Sequence, residues 1–246
     1  MAQVSSTTKG SITFYVDIIS PFGYIAYYIL RNSPVFSNVK ITYIPILLGG
    51  LHKQCGNTAP ILIKNKDKWI NRERERWASL FKIPIRDGPP PGFPVSTVNA
   101  GRALTALKME LGGDKEDLFA KVIDVFWAAL WAPSEVNSQL KDGKGDFDVK
   151  NAKVLEGLMG SVVGEDVAQK VIGRIAEKDV KDQLVKNTGQ AFEEGAFGLP
   201  WFQCTNEQGE EEGFWGFDHL GQVVRFLGLG EDGDLERSGR AMRAML

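Results

Sequence analysis

Residues 12–24 read ITFYVDIISPFGY, and this stretch decides the fold because a strand runs through a short turn into a helix start. Residues 12–17 alternate in the manner of a β-strand. Pro21 is compatible with the first turn of a helix, because the N–H groups there have no partner within the helix and proline lacks this group. Apolar residues then recur at helical spacing up to Leu30. Residues 39–45 predict a second strand, and this order favours a parallel pair joined by a crossover helix.

The middle of the chain, residues 64–188, changes from β alternation to helical periodicity. Helices are predicted there at residues 69–81, 97–111, 114–131, 149–159, 165–176 and 178–192. The β pattern returns in residues 201–205 and 213–216, which predict a hairpin, and a closing helix is predicted from residue 217 or 218 to 227.

The fold class is therefore α/β: a βαβ unit, a large all-helical insertion and a ββα unit. We expect a discontinuous α/β domain formed by residues 9–63 and 189–230, a helical insertion domain at 64–188, and a C-terminal tail at 231–246.

Composition excludes several classes of protein. The 246 residues are 43% hydrophobic, which is enough to build a core. With 29 Lys and Arg against 31 Asp and Glu, no net field favours nucleic acid, and no apolar run has the length of a membrane span. The polar first ten residues hold no signal core, so we expect an intracellular protein, with cytoplasm, mitochondrion and peroxisome all open.

The cysteines and histidines predict neither a disulfide framework nor a metal site. Cys55 and Cys204 form no C-x-x-C pair; we expect Cys55 in a loop and Cys204 as a packing residue in a strand. With His52, expected in a loop, and His219 they have no zinc-ligand spacing. A serine hydrolase at Ser20 is disfavoured, since a G-x-S-x-G context is missing.

Two interpretations of Ser20 stay open from the residues alone. Its hydroxyl can simply cap the helix by accepting an orphan backbone N–H. Alternatively, the hydroxyl and the free N–H groups of Phe22 and Gly23 can together stabilise an anion at the helix start. A second stretch, residues 195–200 (GAFGLP), can be a turn into a strand, or can hold a cis Leu199–Pro200 bond that leaves the Leu199 backbone free to pair with a peptide-like ligand.

Together these stretches resemble the kappa-class glutathione transferases, which have a thioredoxin-like fold and are similar to bacterial disulfide oxidoreductases and to 2-hydroxychromene-2-carboxylate isomerases. The matching segments are residues 14–22, 48–50 with 56–57, 102–104 and 195–200. The resemblance implies glutathione as co-substrate, a small hydrophobic electrophile as its partner, and a homodimer.

The resemblance also implies roles for individual residues. Ser20 would be catalytic and stabilise the glutathione thiolate. The residues implied to bind glutathione are Pro21, Phe22, Asn57, Leu199, Pro200, Phe217 and Asp218. Phe217 departs from the pattern, because the family commonly has serine there and a phenyl ring cannot donate a hydrogen bond; Asp218 can still pair with the glutamyl ammonium.

Three functions remain open at this point. A transferase would release the thioether adduct, whereas an isomerase would expel glutathione again from the same carbon, and Ser20 serves both. A non-catalytic glutathione- or partner-binding protein is the third. Thiol–disulfide exchange is not expected, since Ser20 and Gly23 leave no attacking thiolate at the helix start. We expect the electrophile pocket to be built from residues 64–77 and 127–131.

Overall fold

A computed structural model describes residues 9–133 and 147–229 of the chain. Its described strands are β1 (Ser11–Val16), β2 (Lys40–Pro45), β3 (Trp201–Thr205) and β4 (Glu211–Trp215). They form one sheet in the order β2-β1-β3-β4. The predicted tail at 231–246 lies outside the described residues.

Strand β1 occupies the centre of the sheet, which explains why its side chains are so largely apolar. It pairs in parallel with β2, with Phe14 opposite Tyr43, and antiparallel with β3, with Phe14 opposite Phe202. A strand with neighbours on both edges is buried, and Phe14 and Tyr15 are fully buried. The predicted parallel βαβ unit and the hairpin are confirmed, although β4 begins two residues before the predicted start at 213.

The helices surround this sheet. Their bounds are α1 (Pro21–Asn32), α2 (Leu48–Cys55), α3 (Lys66–Phe81), α4 (Val98–Leu111), α5 (Glu116–Trp131), α6 (Ala152–Val163), α7 (Glu165–Gly173), α8 (Lys178–Glu193) and α9 (Leu220–Phe226). Short 3-10 turns cover Pro34–Phe36, Pro60–Leu62, Gly113–Lys115 and Phe217–His219. The thioredoxin-like fold with its helical insertion is thus confirmed, and the predicted closing helix is a 3-10 turn followed by α9.

One helix escaped prediction. His52 and Cys55 were expected in a loop, but both lie on α2, and Cys55 is its last residue. Two glycines weaken the helical signal, and Leu51 is its one buried residue. Side chains from distant elements hold its start instead: Asp17 Oδ2 accepts the Leu48 N–H at 2.8 Å, and Thr188 Oγ1 accepts the Leu47 N–H at 3.1 Å.

The larger of two apolar clusters joins the sheet to the helical block, which comprises the helices within residues 64–188. Trp127 on α5 is fully buried, and its ring lies 4.7 Å from that of Tyr27 on α1 and 6.4 Å from that of Phe14 on β1. The buried apolar face of α5 therefore forms a contact surface between the helical block and the sheet. The division into two domains stays a prediction.

Within residues 9–133 and 147–229, no helix combines the length and the apolar character needed to cross a membrane.

Candidate active site

The start of α1 positions Ser20 where the chain leaves the turn after β1. Ser20 is 5% exposed and has extended backbone angles, as an N-cap residue requires. Its Oγ accepts the Gly23 N–H at 3.0 Å and lies 3.5 Å from the Leu199 carbonyl oxygen, a weak contact for its own proton. The hydroxyl therefore caps the helix with a lone pair and keeps its proton free for a stronger acceptor.

This geometry corrects one expectation. The Gly23 N–H, expected to be free for an anion, is taken by Ser20 Oγ. A hydroxyl that already accepts one hydrogen bond is polarised into a better donor, so the Gly23 N–H acts on an anion through Ser20 rather than directly.

Asp17 shapes the turn that carries Ser20. Its carboxylate is 4% exposed; Oδ1 accepts the Ile19 N–H at 3.1 Å and Oδ2 accepts the Leu48 N–H. Burial away from water raises the pKa of Asp17, against the lowering effect of these hydrogen bonds. Trp131 Nε1 donates to the Ile18 carbonyl at 2.7 Å, so the turn is held from two sides.

The second predicted stretch lies directly opposite. The Leu199–Pro200 peptide bond is cis, and the Pro200 carbonyl accepts the Gly216 N–H at 3.0 Å. Asn57 follows the end of α2, and its Nδ2 donates to the Phe197 carbonyl at 2.8 Å. Ser20, Asn57 and the 195–200 stretch thus meet at one place, although they come from three separate parts of the chain.

A cavity of about 260 Å³ opens between this meeting point and the helical block. Of the residues expected to bind glutathione, those that line it are Ser20, Pro21, Phe22, Asn57 and Leu199. The predicted pocket segments contribute Asp67, Ile70, Asn71 and Trp131. The segments at 59–62 and 89–94 also line the cavity, and sequence reasoning missed both because neither carries a chemical motif.

Pro200, Phe217 and Asp218 do not line this cavity. Phe217 is 4% exposed; its ring stacks on Phe22 at 5.6 Å and meets the edge of Trp77 at 4.9 Å. Phe217 therefore supports the cavity wall from behind. The Asp218 side chain is 57% exposed and lies 3.6 Å from Nδ1 of His219.

His52 was expected in a loop, but it lies on α2 and lines the cavity. Its burial lowers the pKa of the imidazole. The cysteines lie apart from Ser20: Cys55 Sγ contacts the Leu51 carbonyl, and burial in β3 raises the pKa of Cys204 to about 12. Among the described residues, no cluster of His, Cys, Asp or Glu is arranged to hold a metal ion.

Comparison with known proteins agrees with this architecture. The profile of the DsbA-like thioredoxin domain matches residues 11–228. The chain belongs to that family. Within it, the chain resembles a glutathione S-transferase kappa 1 of Caenorhabditis elegans, at 27% identity over 219 residues that cover 88% of this chain and 90% of that protein.

Isomerases are comparably similar to this chain. A 2-hydroxychromene-2-carboxylate isomerase of Sphingobium xenophagum is 26% identical over 219 residues, covering 88% of this chain and 97% of the isomerase. A solved structure of such an isomerase superposes with a TM-score of 0.69 at 22% identity, covering 89% of this chain and 94% of that one. That superposition supports the shared fold, and the curated relatives include both transferases and isomerases.

Proposed function

We propose that the protein is a glutathione transferase of the kappa type, in which Ser20 stabilises the glutathione thiolate for attack on a small apolar electrophile. The observation that carries the proposal is the Ser20 hydroxyl: it is buried, its lone pair caps α1, and among the described residues its proton finds only the Leu199 carbonyl oxygen, at 3.5 Å. The similarity to kappa-class transferases over 88% of the chain supports the choice of thiol.

The free energy needed to stabilise the thiolate matches what the Ser20 hydroxyl and the start of α1 can contribute. A free thiol has a pKa of about 8.5, so near neutral pH only a small fraction is thiolate. To lower that pKa by about two, the site must stabilise the thiolate relative to the thiol by about 2.7 kcal/mol. A hydrogen bond to a charged acceptor contributes about 1.5–3 kcal/mol and a helix N-terminus about 0.3–2 kcal/mol. The Ser20 hydroxyl and the start of α1 together suffice.

In the proposed reaction the thiolate sulfur attacks an electrophilic carbon and forms a carbon–sulfur bond. With an aryl halide the carbon–halogen bond breaks and the halide leaves with the bonding electron pair, while the thiol proton has gone to solvent. In this proposal Asn57 and the Leu199 backbone hold the tripeptide, Pro21, Phe22 and Pro200 line its thiol end, and Phe217 keeps Phe22 in place. Asp218 holds the glutamyl ammonium from its exposed position.

Ser20 would serve an isomerase equally well. The similarity to the Sphingobium xenophagum isomerase supports isomerisation as a second candidate function. We further propose a homodimer, on the basis of the kappa-class resemblance, and intracellular action stays a prediction from the sequence.

The direct test is Ser20→Ala. The variant should bind glutathione with a raised thiol pKa, measured from the ultraviolet absorbance of the thiolate, and should conjugate 1-chloro-2,4-dinitrobenzene about 10- to 100-fold more slowly, as expected for loss of about 1.5–3 kcal/mol. Ser20→Thr keeps a hydroxyl and should retain most of the activity.

A matched control separates catalysis from capping. Asn151 also caps a helix, since its side chain accepts the Lys153 N–H at the start of α6. Asn151→Ala should lower the free energy of unfolding by about 1 kcal/mol, as Ser20→Ala should, without changing the thiol pKa. An unchanged thiol pKa and rate in folded Ser20→Ala would contradict the proposed role of Ser20.

A further inference from the structure

Helix α3 carries a charged residue on its inward face. Ile70 lines the cavity beside Ser20, and Arg74 follows it by four residues, about one helical turn further along. Helical spacing therefore favours an apolar residue at position 74, in line with Ile70 and the buried Ala78. Arg74 is instead fully buried, and among the described residues it is the one buried cation.

The guanidinium of Arg74 has few partners for a group at this depth. Nη1 donates to the Arg86 carbonyl at 2.6 Å, and Nη2 lies 3.4 Å from the Glu75 carboxylate. Nε is buried and has no hydrogen-bond partner among the described residues. A buried cation with incomplete pairing destabilises a fold relative to an apolar side chain of similar size, so packing does not account for Arg74.

Trp131 connects Arg74 to the cavity. The guanidinium carbon lies 5.7 Å from the centre of a Trp131 ring, which is within the range of a cation–π interaction. The Arg86 N–H donates to the Trp131 carbonyl at 2.7 Å. Arg74 therefore contacts Trp131 directly at its ring and, through the Arg86 backbone, at its carbonyl.

Trp131 in turn contacts the segment that carries Ser20. Trp131 lines the cavity, and its Nε1 donates to the carbonyl of Ile18, two residues before Ser20. A cation over an indole draws electron density from the ring and makes the ring N–H a stronger donor. The contact with Arg74 therefore strengthens the hydrogen bond that holds the Ser20 turn.

The wall of the cavity supplies little positive charge of its own. No Lys or Arg among the described residues lines it, and burial lowers the pKa of the His52 imidazole, which does line it. Two carboxyl groups oppose an anion at this place: Asp67 on the wall and Asp17 in the turn before Ser20. Positive charge from behind the wall would therefore favour an anion beside Ser20.

The groups around the guanidinium leave part of its charge uncompensated. Glu75 and Asp87 oppose that charge, whereas Arg86 adds to it. Both carboxylates are exposed, so water and salt screen them, whereas Arg74 acts on the cavity through the buried ring of Trp131. Charges attract more strongly across the interior of a protein than through water.

We propose that Arg74 is a positioning residue for the thiolate: acting through Trp131, it holds the Ser20 turn and adds a buried positive charge that favours the anionic sulfur. The inference rests on the proposed function, because it adds a residue to the same site. Arg74 does not line the cavity, so its effect reaches the sulfur without contact with either substrate.

The test measures the pKa of bound glutathione in three variants, from the ultraviolet absorbance of the thiolate. Arg74→Met removes the charge at similar length, Arg74→Gln also keeps a donor for the Arg86 carbonyl, and Arg74→Lys keeps the charge. The first two should raise the thiol pKa by about 0.5–1, as expected for loss of a charge on the order of 10 Å away. Arg74→Lys should raise it less.

The pH profile of conjugation separates this effect from a structural defect. With 1-chloro-2,4-dinitrobenzene, Arg74→Met and Arg74→Gln should be about three- to tenfold slower at about pH 6, where thiolate is scarce. Above about pH 8.5 their rates should approach that of the unmodified protein, because the thiol is then ionised in all of them. A structural defect would lower the rate by the same factor at every pH.

The control is Arg31→Met. Arg31 is also partly buried and pairs with Asp117 at 3.2 Å, but it lies at the end of α1 opposite to Ser20. Its loss should leave the thiol pKa unchanged. An unchanged thiol pKa in folded Arg74→Gln or Arg74→Met, or an equal rise in Arg31→Met, would overturn the inference.

A second measurement needs no glutathione. The six tryptophans of the chain each give an indole N–H signal in nitrogen-15 spectra, and Trp131→Phe identifies the signal of Trp131. That proton should move upfield and exchange faster with solvent in Arg74→Met and Arg74→Gln, because its hydrogen bond to Ile18 weakens. An unmoved signal would overturn the inference even in an active transferase. A protein that binds no glutathione would refute the proposed function, and the indole signal would still decide whether Arg74 positions Trp131.

Discussion

Ser20 and Asp17 show how much of this site depends on single side chains at one turn. Ser20 faces the cavity, whereas Asp17 faces inward and accepts N–H groups from Ile19 and Leu48. The first hydrogen bond holds the turn before Ser20 and the second holds the start of α2. Asp17 is thus a positioning residue whose carboxylate is kept away from water at an energetic cost.

That cost predicts a dependence of stability on pH. Because the pKa of Asp17 is raised in the folded protein, its contribution to stability is fully present below about 4, the ordinary pKa of aspartate, and is lost as the pH rises through the folded value. The free energy of unfolding of the unmodified protein, relative to that of Asp17→Asn, should therefore fall as the pH rises above about 4. Urea denaturation of both proteins across this range measures the difference.

The exposed residue Asp114 supplies the comparison. Asp114→Asn should leave the pH profile of stability close to that of the unmodified protein. A difference between the unmodified protein and Asp17→Asn that stayed flat or increased with pH would contradict a raised pKa for Asp17.

Among the elements, the β3–β4 hairpin illustrates how packing restricts a position that looks permissive. Gly213 lies in β4, and a Cβ added to it would fall 2.2 Å from Cζ2 of Trp201 on β3. Trp201 is buried and belongs with Tyr15 and Leu199 to a small apolar cluster beneath the site. The glycine is needed there because the indole occupies the space of a side chain.

Two glycine substitutions should therefore have opposite effects. Gly213→Ala should lower the free energy of unfolding by about 1–3 kcal/mol, since Trp201 or the strand must move. Gly189→Ala, inside α8 where an added Cβ meets nothing within 4 Å, should raise it by about 0.5–1 kcal/mol. Urea denaturation measures both values; a neutral Gly213→Ala would mean that the indole is not held in the position described.

For the whole molecule, the decisive feature is that the helical block and the sheet share one core. Trp127 comes from the block, yet it packs against Phe14, Tyr24 and Tyr27 from the βαβ unit. Neither part can lose this contact without exposing large aromatic surface. The insertion predicted as a separate domain is therefore bound to the rest by the same residues that fill the core.

This continuity predicts one cooperative unfolding transition. Far-ultraviolet circular dichroism, dominated by the helices, and tryptophan fluorescence should give coinciding urea curves. Trp127→Ala should lower the free energy of unfolding by about 3–5 kcal/mol. The urea midpoints of the circular dichroism and fluorescence curves should fall together. Two separated transitions would instead indicate that the helical block folds independently.

Local patterns in the sequence predicted the elements well where each pattern is carried by neighbouring residues. Strands and helices with clear periodicity, such as β3 and α8, begin at the predicted residues. Helix α2 was not predicted because hydrogen bonds from distant residues hold its start. Asp17 accepts an N–H group 31 positions away, and Thr188 accepts one 141 positions away. Phe217 was assigned to ligand binding by resemblance, while its stacking on Phe22 depends on a neighbour far away in the chain.

The sequence by itself determined the α/β order of elements and the motifs around Ser20, Asn57 and Leu199, because turn chemistry and side-chain periodicity act over a few residues. Only the tertiary structure decided that His52, Asp67 and Asn71 face one apolar cavity without hydrogen-bond partners among the described residues. The physical reason is that a cavity wall is assembled from several separated segments, and their contacts follow from packing of the whole core rather than from any local pattern.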